Sequence, residues 1–499
     1  MVATISNAAA LFLMFRLAFH QLGPSVVGVW ALLQGIMLIS RLPDMGSAGN
    51  TTRLVAIEVA RSGTIRLRNY LAASVIVNTV PILVIGLLIC VPTYYYTKTS
   101  AQQAGVSLSI LVTLIWQSAA FGVLSSLSSI LCGCLDGLGL MALRGYLSSL
   151  ANVLFIALGY VLIFGLGATG LGYAYIVLAI LLILLCGTAI LVFHDAPVDR
   201  SAEKSVVELV RMSFGFNANF LIIGICRLLL DPICKIMIGA FSTLELVAIF
   251  DLANKVTTQA RILYSSPLQA LLPLVSREGI DIEPGLHARL TEWNSLVARW
   301  SLYTMGLAVL SAGALSAFSF GHISVPFILM LLILSVANAI TTMGLVGYYM
   351  DVGSGHLRRL IWVHVIMAIL NVALGVLLGR LLGAIGVAFS FAIALTYAGF
   401  ACMRPLFKSR RDIWRFLVRD TGLELLLFCA AAVVSWTVFV ELSGDSMLLR
   451  QSYAGLAMLG LGALFFYRES GHALAIFRRR APEDIEAAAM AAQQPSVAE

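Results

Sequence analysis

Charge is scarce in this sequence. Only 11% of its 499 residues are Asp, Glu, Lys or Arg, 60% are hydrophobic, and mean hydropathy is +0.95. A soluble surface needs roughly a quarter charged residues, so a soluble globular domain is excluded. Catalytic signatures are missing as well. The seven His show no HExxH or paired spacing, and the eight Cys contain a CxC at Cys132 and Cys134 but no CxxC, so no metal site is expected. The cysteines lie in or beside apolar runs, where a thiol acts as a small core hydrophobe. There is no phosphate-binding glycine loop in a soluble setting and no Ser/His/Asp order in a plausible context. No loop could house a nucleotide-binding domain, which rules out ATP hydrolysis by this chain. No cofactor is expected. No small-residue cleavage site precedes a mature soluble domain, so no cleavable leader is expected. The net charge of +7 reads as loop Lys and Arg holding membrane orientation rather than as a nucleic-acid surface.

Apolar runs of about 18 residues or more recur along nearly the whole length, and about fourteen spans can be drawn. The expected fold is therefore all-α: a polytopic integral membrane protein with two pseudo-symmetric six-helix lobes around a central cavity, plus a C-terminal helix pair. The boundaries are residues 1–200 for the first lobe, 205–407 for the second, 408–468 for helices 13 and 14, and 469–499 for a tail. An Arg-rich stretch, Thr51 to Asn69, reads as an amphipathic surface helix. Most Lys and Arg fall on one side if both termini are cytoplasmic, which fixes the expected orientation.

The lobes are expected to be copies. Val27-Gly28-Val29-Trp30 lines up with Val247-Ala248-Ile249-Phe250, 220 residues on. Leu135 to Arg144 matches Met350 to Arg359, and Gly167 to Tyr175 matches Gly383 to Phe391, at offsets of 215 and 216. An even number of spans per copy implies a pseudo-dyad along the membrane normal.

Charges within the spans are the candidate site. Arg227, Asp231 and Lys235 sit four apart, as do Asp251 and Lys255, so each set shares a helical face. Such charges are costly in lipid and should face a polar interior. Together with Arg16, Arg41 and Arg261 they leave a positive excess, which suits an anionic ligand such as a phosphate or pyrophosphate. Arg16, Arg41, Arg227, Lys235 and Arg261, with Asn217 and Asn219, are the expected cavity residues. Asp231, Asp251 and Lys255 are assigned to charge neutralisation or coupling, with Asp251 and Lys255 read as a structural pair. The blander reading for Arg16 and Arg41 is snorkelling to headgroups. Gln34, Gln117, Asn338 and Asn371 are expected to hydrogen-bond between helices. Pro232 is expected to kink its helix.

An Arg closing the first helix, LGPSVVGVWAL, an Asp-x-Gly turn at Asp44 and Gly46, an Arg-rich segment, and the second-half RLLLDPICKIMIGAFSTLELVAIFDLANKV together resemble the polysaccharide (O-antigen type) flippases of the multidrug/oligosaccharidyl-lipid/polysaccharide exporter superfamily. The resemblance covers about Arg16 to Arg415. It implies alternating access and export of an undecaprenyl-pyrophosphate-linked oligosaccharide across the bacterial inner membrane. The implied partners are membrane lipids and the lipid-linked substrate, together with a polysaccharide polymerase and glycosyltransferases. The related lipid II flippases carry cavity arginines on helices 1, 2 and 8, and Arg16, Arg41 and Arg261 occupy comparable places. The chain departs from the family pattern in having few residues before its first helix, and LVG where a Gly-Tyr is common. A cation-coupled drug exporter of the same superfamily, driven by protons or sodium, should instead show a carboxylate-dominated cavity. A polymerase or ligase needs a sizeable external loop, which is absent here. A non-transporting subunit of a synthesis complex is a further alternative.

Overall fold

The computed structural model describes residues 2–44, 51–52, 54–56, 59, 67–193, 205–211, 225–226, 228–268, 271, 275, 284–354, 357–407, 409–441, 451 and 453–463. The described residues are helical and contain no strand, as an apolar chain in lipid requires, because a helix satisfies its own backbone polar groups. In the first half, α1 (Val2–Leu22) leads through Gly23 into α2 (Pro24–Met37), which runs on as a 3-10 turn to Asp44. There follow α3 (Leu67–Gln103), α4 (Leu108–Gly137), α5 (Met141–Leu166) and α6 (Ala168–Phe193). In the second half come α7 (Asp231–Phe241), α8 (Leu244–Leu268), α9 (Pro284–Leu310), α10 (Ala312–Phe320), α11 (Val325–Met343), α12 (Leu345–Gly353), α13 (Leu357–Met403) and α14 (Gly422–Trp436).

Among the described residues, eight helices are long and apolar enough to cross a bilayer, or nine if α9 and α10, bent by 48°, form one span. α8 has 25 residues but carries Glu245, Asp251, Lys255 and Arg261, so it falls outside that count; its residues 247–253 are buried against other helices, as such charges require. α13 is a hairpin. Its 47 residues break at Gly383, and Arg359 near one end donates to the carbonyl of Ala401 near the other at 3.0 Å. A straight helix would hold those two residues about 63 Å apart at 1.5 Å per residue.

The repeat is visible in the backbone. Gly167, between α5 and α6, has φ 60° and ψ −132°; Gly383 has φ 61° and ψ −139°. Only glycine tolerates that conformation readily, which is why the GATG and GAIG motifs survive at the same place. Packing repeats with it. Gly159 on α5 lies against the Met14 thioether, and Gly375 on α13 against that of Met237. The Trp30 and Tyr175 ring centroids are 5.5 Å apart, and those of Phe250 and Phe391 are 5.9 Å apart. Asp136 pairs with Arg144 at 2.7 Å, and Asp351 with Arg359 at 3.1 Å.

At the end where α1 stops and α2 and α8 begin, the halves close on one another. A Cβ added to Gly28 would overlap the Leu244 backbone, so glycine lets these helices cross. Beside them the Phe19 and Phe320 rings pack at a tilt of 56°, with centroids 4.6 Å apart. One cluster of buried apolar side chains runs through both halves, including Trp30, Phe155, Phe250 and Phe391.

Candidate functional site

The amides expected to join helices do so. Gln34 donates to Ser118 at 3.1 Å, Gln117 to the Thr169 carbonyl at 3.0 Å, and Asn338 to Thr257 at 3.1 Å. Asn371 donates to the Leu229 carbonyl at 2.8 Å. That last bond explains the start of α7. Helical residues 225, 226 and 228 end in a turn at Leu229 and Leu230, and the helix restarts with Pro232 in its first turn, so the chain breaks just before the proline. Proline suits that position because the amide it lacks would have no helical acceptor. Asn371 on α13 then satisfies the carbonyl left open just before it.

α7 and α8 bring four charges together. Lys235 Nζ lies 2.9 Å from Asp231 Oδ2 and 2.7 Å from Asp251 Oδ1. Lys255 Nζ lies 2.7 Å from Asp251 Oδ2 and 4.3 Å from the centre of the Phe15 ring on α1. Asn254 donates to Asp231 Oδ1 at 2.7 Å. The i,i+4 pairs follow from helical spacing; the Lys235–Asp251 bond is the link between helices. The Lys235 and Asp251 side chains are only 8% and 3% exposed, so this is a buried, self-neutralised cluster. Lys235, expected on a cavity wall, is instead held between two carboxylates and packs its stem beside Gly35 of α2. Within the cluster Asp231 and Asp251 balance Lys235 and Lys255, so the positive excess of the span charges falls on the arginines.

Beyond Asp231 a cavity of about 540 Å³ opens inside the second half, between α8, α11, α12 and α13. One wall is polar: Asn254, Thr258 and Arg261 of α8, Asn338 and Thr341 of α11, and His364 of α13. Leu395, Phe391 and Met367 form an apolar face. Every residue lining this cavity belongs to the second half. Sequence reasoning missed Asn254, Thr258 and His364. The first two could have been found, because Asn254, Thr258 and Arg261 form a polar stripe at i, i+4 and i+7 on α8. His364 offered no signal, being a single His in an apolar run.

Arg41 lies apart from that cavity, half-buried, with its stem beside Gly122 of α4. It is nonetheless the repeat partner of Arg261: the offset is again 220 residues, as it is for Gln34 and Asn254. Arg16 is exposed, with its guanidinium 4.2 Å above the Phe318 ring of α10. Asn217, Asn219 and Arg227 lie outside the described residues. Among the described residues no cluster of three or more His, Cys, Asp or Glu could hold a metal ion.

Comparison with known proteins adds the following. A family described as "Polysaccharide biosynthesis protein" matches residues 1–278, more than half of the chain. A solved lipid II flippase in an inward closed conformation superposes with a TM-score of 0.64 at 14% identity, covering 94% of this chain and 98% of that one. An inward-facing multidrug-resistance MATE transporter gives 0.56 at 17% identity over 84% and 96%. A Vibrio cholerae MATE transporter gives 0.52 at 14% over 83% and 99%. These structures share the fold. No curated protein matches in sequence.

Proposed function

The chain belongs to the polysaccharide biosynthesis protein family, and from that premise we propose that it is a flippase carrying an undecaprenyl-pyrophosphate-linked oligosaccharide across the bacterial inner membrane. The observation that carries this reading is the chemistry of the second-half cavity. It sets the Arg261 guanidinium among amides, hydroxyls and His364, opposite an apolar face, and the one carboxylate at its border, Asp231, is paired with Lys235. A pyrophosphate is matched by Arg through paired, charge-assisted hydrogen bonds. Sugar hydroxyls are matched by Asn254, Thr258 and Asn338, and the first isoprene units by Phe391 and Leu395.

Orientation supports the same reading. With both termini cytoplasmic, α8 ends on the cytoplasmic side, so the cavity sits where substrate is made, and the Gly28–Leu244 crossing closes the outer end. Transport requires that crossing to open while the cytoplasmic ends approach. Arg41, at the equivalent place in the first half, is then the second anion contact as the halves rock. The drug-exporter reading is disfavoured because both described carboxylates of the cluster are already bound by lysine. Of the two, Asp231 borders the cavity, so proton or sodium coupling, where present, is assigned to it. The polymerase and glycosyltransferases that make and use such a substrate are the proposed neighbours in the membrane.

The test is Arg261→Gln, Arg41→Gln and the double variant, scored by surface polysaccharide in cells and by flipping of a short-chain polyprenyl-pyrophosphate saccharide in proteoliposomes. The loss of one charged hydrogen-bond set, about 1.5–3 kcal/mol, should slow transport roughly tenfold or more for Arg261→Gln. Full transport by the double variant would remove the anion-binding role.

A further inference from the structure

A second concavity of about 560 Å³ lies on the other side of the α13 hairpin, between that hairpin and the short helix Arg410–Arg415. Its residues change in character along α13, from the end that carries Arg359 and Arg404 inward. At its mouth stand Arg359 and Arg404, brought side by side because α13 folds back on itself. Trp362 and Trp414, 58% and 68% exposed, flank them. Ile366, two turns or about 10 Å further along the helix from Arg359, and Leu417 are apolar. Cations at the end of a span, then amphipathic rings, then aliphatic side chains is the polarity order of one bilayer leaflet.

The charges at the mouth do not cancel. Arg359 shares Asp351 at 3.1 Å, and its side chain remains 36% exposed. Arg404 is exposed and forms no ion pair with a described residue. Among the described residues one positive charge is left over, held beside two indoles at the end of the α13 hairpin. We propose that this groove binds an anionic glycerophospholipid, with its phosphodiester on Arg404 and Arg359 and one acyl chain along Ile366 and Leu417. A zwitterionic lipid brings its own cation to the same spot and gains less.

The site is separate from the cavity of the second half, but only the α13 hairpin lies between them. Val363 touches both spaces, Trp362 and Ile366 face the groove, and His364 and Met367 face the cavity. A lipid seated here braces the wall against which substrate packs.

The experiment is native mass spectrometry of the full chain released from detergent, with phosphatidylglycerol and phosphatidylcholine added in turn. Wild type should retain phosphatidylglycerol in preference to phosphatidylcholine. Arg404→Gln should lower that retention about fivefold to tenfold, and Arg404→Lys should keep most of it. Trp414→Ala, an exposed position that does not threaten folding, should weaken both lipids alike. Equal retention of the two lipids by wild type, or unchanged phosphatidylglycerol retention in Arg404→Gln, would overturn the proposal. So would stoichiometric displacement of phosphatidylglycerol by a short-chain polyprenyl phosphate, which would make the groove a seat for the substrate's tail.

Discussion

Lys235→Met is the sharpest perturbation of this architecture. The methionine keeps the length and apolar stem that pack beside Gly35 and removes only the ammonium. In the native cluster two lysines balance two aspartates; without Lys235 the balance becomes one against two. Asp231 keeps its hydrogen bond from Asn254 and is part-exposed toward the cavity, so it tolerates the loss. Asp251 cannot, because its side chain is 3% exposed and it keeps Lys255 alone. At an effective dielectric of about 20, a contact near 2.8 Å is worth roughly 6 kcal/mol of Coulomb attraction before desolvation. Removing one partner of a buried pair costs about 3–5 kcal/mol in practice, which is about a hundredfold to a few thousandfold in the folding equilibrium. The assay is thermal unfolding of purified protein in mild detergent, beside folded yield by size-exclusion chromatography. Lys235→Met should lower both, and Lys235→Met combined with Asp251→Asn should recover much of the loss, because it leaves Lys255 and Asp231 in balance. Wild-type stability in Lys235→Met, or no recovery in the double variant, would show that the cluster does not neutralise itself as described.

Two further outcomes test the backbone. Gly28→Ala places a methyl group on the Leu244 backbone and should destabilise the contact between halves by about 1–3 kcal/mol, read as lower melting temperature and faster proteolysis between the halves. Gly167→Ala and Gly383→Ala meet no steric wall closer than Ser242 Oγ at 3.7 Å, so each should lose only the strain of its backbone, about 1–3 kcal/mol. The two losses should be nearly equal because the torsion angles are, and clearly unequal melting shifts would count against the structural equivalence of the two hairpins.

The fold was readable because lipid leaves a chain few choices. Long apolar runs had to be helices, and short motifs such as GATG and GAIG marked real corners because glycine alone accepts their torsion angles. The site was less readable, for reasons that can be located. Spacing by four showed that Asp231 faces Lys235 and that Asp251 faces Lys255. It could not show that Lys235 also reaches Asp251 on the next helix, since that depends on how α7 and α8 turn toward each other. Counting charges along the chain gave the net excess but not which cations are paired: Lys235 and Lys255 are taken by the aspartates, and the excess falls on the arginines. His364, Tyr348 and Asn338 meet Arg261 only through packing of α11, α12 and α13 against α8. Pro232 marked a real break in the helical run, because a proline has no amide to carry the helix through it.

The repeat separates what is shared from what is local. At the 220-residue offset, Gln34 answers to Asn254 and Arg41 to Arg261, so the amide and the guanidinium are present in both halves. Asp251 and Lys255 answer to Ala31 and Gly35, so the charge cluster belongs to the second half alone. Gly35 is the residue beside which the Lys235 stem lies. The first half is thus small where the second half is charged, and the cluster projects into the space a larger side chain would fill. Two copies that pack face to face cannot both place buried charges on the contact, since four more would need pairing in the same volume. Divergence at Ala31 and Gly35 solves that conflict while leaving the hydrogen-bonding stripe of α2 and α8 intact. The proposed transport role therefore rests on what the halves share, Arg41 and Arg261, and the proposed structural one on what only the second half carries.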